Sequence, residues 1–231
     1  MSWLSIIVPT LNEAQIIVPT LTRLESLRKR GVEIIVADGG SNDGTRVLAA
    51  PLADRVLTAP PGRARQMNAG AARATGVALL FLHADTRLPD DALCAVDRAL
   101  NRHRWGRFDV RLDSRRPLLR LVARMMNLRS RLTGIATGDQ ALFMTRAAFE
   151  SVGGFPEQAL MEDIELSQRL KKTGPPACLK TPVVTSARRW KEHGAWRTIV
   201  LMWRLRWAYW RGAEPAQLAR HYNCPAREIK P

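Results

Sequence analysis

The sequence predicts an α/β protein: a mainly parallel central sheet flanked by helices, with a C-terminal amphipathic helical tail. Short β-branched apolar runs alternate with stretches of helical periodicity through the first hundred residues, the pattern of successive βαβ units. The clearest of these runs stop at polar, turn-forming clusters. The chain of 231 residues, 46% apolar and 25% charged, has the balance of a globular protein with a true core, which excludes disordered, collagenous and low-complexity classes.

Taken in order, residues 4–9 read as a buried strand that stops at Pro9-Thr10-Leu11-Asn12-Glu13, and residues 14–29 as a helix. Residues 32–37 read as a second buried strand, ending in Asp38-Gly39-Gly40-Ser41-Asn42-Asp43-Gly44-Thr45 before a short helix near 46–50. Residues 55–57 suggest a third strand, 63–74 a helix of small residues, and 77–82 a fourth strand ending at His83-Ala84-Asp85. Ligands of parallel sheets sit beyond the carboxyl ends of the strands. Asn12/Glu13, Asp38/Asp43 and His83/Asp85 all fall there, so three polar clusters converge on one edge.

The second half is less regular. Residues 117–131 place Leu118, Leu121, Val122, Met125, Met126 and Leu128 among arginines at 120, 124, 129 and 131, with Arg116 just before, and read as a basic amphipathic helix. Residues 138–144 look like a loop entering a strand, 147–152 like a short helix, and 162–172 like a helix closed by Gly174-Pro175-Pro176. Residues 195–211 are apolar nearly all round, with four Trp interleaved with Arg. No internal repeat and no long linker separates independent domains.

Cys94, Cys178 and Cys224 are odd in number and lack CxxC spacing, which excludes a disulfide scaffold or zinc ribbon and fits a reducing compartment. The first residues have no basic leader pattern, and no run reaches the ~18 uncharged apolar residues of a membrane span. A cytoplasmic protein is therefore expected. Net charge is +15, and it is unevenly spread: residues 1–100 hold 11 basic against 10 acidic side chains, residues 101–231 hold 25 against 11. Two blocks, 102–131 and 188–231, supply the excess and suit an anionic partner, although Arg-rich composition alone can inflate a solvated face.

Chemistry can be read at three places. Asp38, directly after a strand and among glycines, can accept from a nucleobase or ribose, or it can close an Asx turn with Asp43 or Ser41 as N-cap of the next helix. No GxGxxG follows the first strand, which argues against a dehydrogenase-type dinucleotide fold. His83 and Asp85, two apart in an extended segment, can face one ligand and with phosphate oxygens hold Mg²⁺ or Mn²⁺, or Asp85 can belong to a helix start. Glu162 and Asp163 open a helix, where they either complement its dipole or supply a general base.

Together these residues form an ordered series: strand-Val-Pro-Thr-Leu-Asn-Glu, strand-Ala-Asp-Gly-Gly-Ser-Asn-Asp-Gly-Thr, Gly-Arg-Ala-Arg-Gln-Met-Asn-Ala-Gly, Leu-His-Ala-Asp-Thr, Gly-Asp-Gln and Met-Glu-Asp-Ile-Glu-Leu. The series resembles the family 2 glycosyltransferases of the GT-A (nucleotide-diphospho-sugar transferase) fold. It is most similar to a small bacterial subgroup encoded near radical-SAM and selenium-related genes, and more distantly to dolichyl-phosphate mannosyltransferases. The likeness runs from about Trp3 to Trp190. Residues 1–190 are therefore expected to form the transferase domain, and 191–231 a basic, Trp-rich tail packed on it, forming a dimer contact or lying at the inner face of a membrane.

The resemblance implies roles. Pro9, Thr10, Glu13, Asp38, Asp43, Arg65, Ala84 and Asp85 fall on the nucleotide-sugar side. Gly138, Asp139, Gln140, Arg189 and Trp190 fall on the acceptor side. Asp163 matches the general base of the Glu-Asp pair, with Glu162 taking that part if the helix register differs. A divalent metal, Mn²⁺ or Mg²⁺, is implied at Asp85 with His83. His83 stands where the family's DxD motif begins with Asp, and a neutral imidazole is a poorer ligand for Mg²⁺, which puts metal dependence in question. The implied reaction is an inverting transfer from a nucleoside diphosphate sugar to an acceptor hydroxyl, the acceptor being lipid-linked or anionic.

Two rivals compete. A sugar nucleotidyltransferase would carry a Gly-rich, basic loop after the first strand, where this chain has Pro-Thr-Leu-Asn-Glu. A nucleic-acid binder would fit +15, but no helix-turn-helix, zinc or RRM signature is present and the Asp-rich strand ends would repel phosphate, so no nucleic-acid partner is expected.

Overall fold

A computed structural model describes residues 2–192 and 194–223; Cys224, Arg227 and Lys230 of the basic tail lie outside the described residues. The chain runs β1 (Leu4–Thr10), α1 (Ala14–Lys29), β2 (Glu33–Asp38), α2 (Thr45–Ala49), β3 (Arg55–Thr58), α3 (Arg63–Arg73), β4 (Ala78–Phe81), β5 (Thr86–Arg87), α4 (Ala92–Leu100) and β6 (Trp105–Leu112). It continues through α5 (Pro117–Thr133), a 3₁₀ turn at Gly138–Gln140, β7 (Phe143–Thr145), α6 (Arg146–Ser151), α7 (Glu162–Lys171), β8 (Ala177–Thr185), α8 (Arg188–Glu192), α9 (Ala195–Trp210) and α10 (Pro215–Asn223).

The strands form one sheet in the order β3-β2-β1-β4-β7-β6-β8-β5. The β3-β2-β1-β4 half is parallel, as the βαβ pattern requires. Beyond it the sheet is mixed: β7 runs antiparallel to both β4 and β6, β8 parallel to β6, and β5 antiparallel to β8. Alternate residues of β1 feed two cores. Ile6 and Val8 pack with Ile17, Leu21 and Leu24 of α1 and Val96 of α4, whereas Ile7 packs with Met67 of α3, Phe149 of α6 and Leu166 of α7. A strand covered on both faces reads as a continuous apolar run, which is why β1 and β2 are so plain in the sequence.

The short helix α2 is not capped by Asp43 or Ser41. Its N-cap is Gly44 in the left-handed region (φ 88°), and Asp43 instead accepts from the Thr45 N–H inside the first turn. The helix α5 buries Leu119, Ala123 and Ser130, while Leu121, Met125, Leu128 and Leu132 are exposed, so part of its apolar periodicity faces away from the core. Nor is α9 embedded on all sides: only Thr198 and Leu205 are buried, and four Trp face out. Leu205 and Leu218 of α10 seat both tail helices on Leu160, Met161 and Ile164 beside the start of α7. Among the described residues no helix is long and apolar enough to cross a membrane.

Candidate active site

At the carboxyl ends of β1 and β2, two loops are laced together by side chains. The Asn12 N–H donates to Ser41 Oγ at 2.8 Å, the Asn42 N–H to Asn12 Oδ1 at 3.1 Å, the Glu13 N–H to Thr45 Oγ1 at 2.9 Å, and the Ala14 N–H to Asp43 Oδ2 at 3.0 Å. The Thr45 hydroxyl, followed by the Ala14 N–H, holds the Asp43 carboxyl below its usual range. Asp38 is fully buried and accepts from Thr10 Oγ1, Ser41 Oγ and the N–H groups of Gly40 and Ser41. Four donors fill the capacity of one carboxylate, so Asp38 shapes this loop from within. Pro9 lies inside β1, paired with Ala37 of β2, and forms part of the floor. Glu13 is half-buried: burial raises its pKa, Arg188 at 3.9 Å opposes that rise, and the nearby Asp85 charge adds to it.

The opposite wall is built by the 138–140 turn and the N-terminus of α7. The Gly138 N–H donates to Asp163 Oδ2 at 2.8 Å and the Ile164 N–H to Oδ1 at 2.8 Å. His83 Nδ1 lies 3.4 Å from Asp139 Oδ1, and a Cβ at Gly138 would stand 2.5 Å from the His83 ring. His83, Gly138, Asp139 and Asp163 therefore form one interlocked unit. Burial opposes ionisation of Asp139, but the His83 hydrogen bond, with His83, Arg63 and Arg206 charges, holds its carboxyl below the usual range. Burial, then the neighbouring Asp163 charge, pushes Glu162 up against the pull of Arg63. Arg63, exposed at the start of α3, acts on both walls: crowding by the surrounding groups disfavours its charge, yet Tyr222, Glu162, Asp139 and Asp163 together raise its pKa, and its charge lowers that of Glu13.

Three non-glycine residues among those described adopt left-handed backbone, Asn12 (φ 54°), Ala141 (φ 45°) and Met161 (φ 65°), and all three adjoin this cleft. Strain of this kind persists where the surrounding structure over-determines it, commonly at functional sites. Met161 is the residue immediately before Glu162-Asp163, so the strain fixes the direction in which α7 starts.

Several expected site residues have other partners. Ala84 is buried in the core and its carbonyl accepts from Thr20. Arg65 pairs with Glu157 at 3.4 Å, while Arg63 on the neighbouring face of α3 reaches the carboxylates. Gln140 is buried and its Oε1 closes the turn on the Thr137 N–H at 3.2 Å. Arg189 lies over the Tyr222 ring at 3.5 Å and donates to the Tyr222 carbonyl, and Trp190 packs beside Leu119 and Ala123. These two fasten tail helices to the body.

The extended segment that would give His83 and Asp85 a common face is not present. The Thr86 N–H donates to the His83 carbonyl at 3.0 Å, so residues 83–86 form a turn in which the alternation of an extended strand is lost. Among the described residues no three His, Cys, Asp or Glu side chains come together as a ready cation site. A divalent ion would rest on the Asp85 carboxylate and on ligand oxygens, a donor set that suits Mg²⁺ or Mn²⁺ only when phosphate completes it.

Sequence reasoning missed Gln66, whose Nε2 pins the strand ends by donating to the Thr10 carbonyl at 2.6 Å and the Ala37 carbonyl at 2.9 Å. Its signal was present. Arg63 and Gln66 stand three apart on a helix and share a face, whereas Arg65 lies two positions from Arg63 and faces elsewhere.

The family model described as Glycosyl transferase family 2 matches residues 5–148. A PGL/p-HBAD biosynthesis glycosyltransferase of Mycobacterium bovis is 35% identical over 107 residues, 43% of this chain and 42% of that protein, and its Mycobacterium tuberculosis counterpart matches equally. The match thus spans less than half the length of these curated relatives. Among solved structures, the mannosyltransferase PcManGT from Pyrobaculum calidifontis in complex with GDP-Man and Mn²⁺ aligns over 95% of this chain and 68% of its own, with TM-score 0.69 and 22% identity. The S. aureus TarS structure with UDP aligns over 80% and 60%, with TM-score 0.65 and 20% identity. The shared fold is the GT-A fold, and with the family match covering well over half its residues this chain belongs to glycosyl transferase family 2.

Proposed function

We propose that this protein transfers a sugar from a nucleoside diphosphate sugar to an acceptor hydroxyl with inversion. One observation carries the reading: Asp163, oriented by the Gly138 N–H at 2.8 Å, stands within electrostatic reach of Arg63, whose charge also acts on Glu13 of the strand-end loops. In the proposed step the acceptor oxygen forms a bond to the anomeric carbon as the bond to the diphosphate breaks. The electron pair leaves on the diphosphate oxygen, and Asp163 takes the acceptor proton. Arg63, whose charge acts on Glu13 as well as on Asp163, contributes positive charge between the two walls, where the negative charge of the departing diphosphate develops. Asp38 and Asp43 act by holding the loop edge on which the nucleotide rests. A divalent metal bound by Asp85 and diphosphate oxygens would supply further charge neutralisation; the presence of Mn²⁺ in the PcManGT complex supports this assignment.

The test is thermal-shift screening against nucleotide sugars with and without Mn²⁺, followed by single turnover with Asp163→Asn. A ligand that binds only the folded state raises its melting temperature. No shift with any nucleotide sugar, or full turnover in Asp163→Asn, would overturn the reading.

We further propose that the protein seats on an anionic bilayer through α5 and α9. Leu121, Met125, Leu128 and Leu132 recur at helical spacing on α5, and Trp196, Val200, Trp203, Trp207 and Trp210 do so on α9, all exposed. The helices are neighbours, Ala195 packing near Leu119 and Ala123. Exposed Arg120, Arg124, Arg197, Arg204 and Arg211 accompany these stripes, and their charge is complementary to an anionic lipid surface.

A further inference from the structure

Beside the proposed base lies a pair of arginines that the transfer step above does not use. Arg129 comes from the last turns of α5 and Arg206 from the middle of α9. The elements that carry them meet at the start of α7, where Ile135, Leu201, Met202 and Leu205 pack with Leu160, Met161 and Ile164. Nε and one terminal nitrogen of Arg129, and Nε of Arg206, are enclosed and have no hydrogen-bond partner among the described residues. No carboxylate among the described residues lies within ion-pairing distance of either guanidinium, although the Asp163 charge acts on both and the Asp139 charge on Arg206. Asp163 itself is bonded to the N–H groups of Gly138 and Ile164.

Buried donors normally find acceptors, and two enclosed like charges repel unless an anion joins them. Burial, followed by the Arg206 charge, lowers Arg129 to about 10. A carboxylate would neutralise one of the two cations, whereas a phosphate monoester carries close to two negative charges at neutral pH and presents three oxygens to the guanidinium forks.

We infer that Arg129 and Arg206 form a receptor for a phosphoryl group carried by the acceptor, which holds the acceptor's hydroxyl against Asp163. The inference rests on the reading of Asp163 as the base and names the acceptor class: a phosphomonoester, either on a lipid or on a soluble molecule. The receptor is separate from Asp85, on the strand-end side where the donor diphosphate belongs.

The test is calorimetric titration of sn-glycerol 3-phosphate, with glycerol as control, into protein saturated with Mn²⁺ and the nucleoside diphosphate found by the thermal screen. Saturable binding of the phosphate ester, weakened about 10-fold or more in Arg129→Gln and in Arg206→Gln, is expected from losing a charge-assisted hydrogen bond. The nucleotide-induced thermal shift should be unchanged in both variants, which shows that the fold and donor side are intact. Without phosphate the variants should melt no lower than the parent, because they remove an unpaired buried cation; a merely structural arginine would give the opposite. Equal phosphate affinity in parent and double variant, or glycerol binding as well as its phosphate, would overturn the inference. If no nucleotide binds, the phosphate titration is run without one: a site lost in the variants keeps the receptor while the transferase reading fails. Phosphatidylcholine vesicles carrying hexadecyl phosphate, set against vesicles of equal charge carrying phosphatidylglycerol, separate the sources: a lipid acceptor gives tighter binding to the phosphomonoester vesicles that is lost in the double variant, and a soluble one gives no difference.

Discussion

The two walls of the cleft solve opposite problems. On the strand-end side, the loops after β1 and β2 satisfy one another: Asn12, Ser41, Asp43 and Thr45 exchange hydrogen bonds, and the buried Asp38 is saturated. By contrast, the enclosed side-chain nitrogens found without a partner among the described residues all lie beyond residue 100: those of Arg129, Gln140 and Arg206 belong to the far side, and that of Arg107 to the interior of β6. The exposed large apolar residues divide likewise. Leu11, Val47, Leu48 and Val77 are isolated or paired, whereas those of α5 and α9 form stripes. A wall that is complete in itself suits a ligand common to a whole family. A wall left incomplete suits a partner particular to this protein, and that contrast is what mutagenesis can break.

The largest effect should come where the walls meet. Asp163→Asn keeps the size and the contact with the Gly138 N–H but loses basicity, so turnover should fall by about 10²–10⁴-fold. The nucleotide-dependent thermal shift should survive. Next comes the apolar face of α9, where Trp203 and Trp207 are 74% and 60% exposed. Replacing both by Glu removes two anchors at about 2 kcal/mol each, enough to abolish flotation with vesicles containing anionic lipid while leaving the thermal shift intact. A parent that ignores such vesicles and sediments as a dimer would transfer this face to a second copy.

Asp38→Ala probes the completed wall. It takes the acceptor from the N–H groups of Gly40 and Ser41 in a partly exposed turn, where water can replace it only in part, a loss of about 1–2 kcal/mol. Thermal stability and nucleotide affinity should fall together, because the loop itself is undone. A change in affinity at unaltered stability would instead mean direct contact with the nucleotide.

How legible these features were follows the same division. Strands β1 and β2 are covered on both faces by α1 and α3, so their apolar runs, stopping at Asn12 and Asp38, declare both the element and the site edge. Local turn chemistry told Asp43 from its neighbours only in part, since Gly44 takes the cap. In the second half β6 and β8 pair across some seventy residues, with a register shift between Phe108 and Asp109, and neither strand alternates cleanly in burial. The arginines were visible as a charge excess, but which of them face the cleft depends on how α5 and α9 dock. Helical spacing could separate Arg63 from Arg65; no local pattern singles out Arg129 or Arg206 from the other arginines.

The smallest expected effect is also the most diagnostic of how the walls are joined. Burial and the Asp163 charge raise Glu162 above its ordinary value near 4.5, so the folded protein retains a proton that the unfolded chain has released. Where the folded state binds more protons, stability falls as pH rises, from the unfolded value up to the raised one, and above that the full penalty of a charged Glu162 is present. Glu162→Gln removes the titration. Its melting temperature should match the parent's near pH 4.5 and exceed it at pH 8, the sign following from the raised value in the folded state. In the Asp163→Asn background the gain at pH 8 should shrink, because the repelling neighbour is gone, whereas a gain equal at both pH values would show that Glu162 is not strained by charge at all.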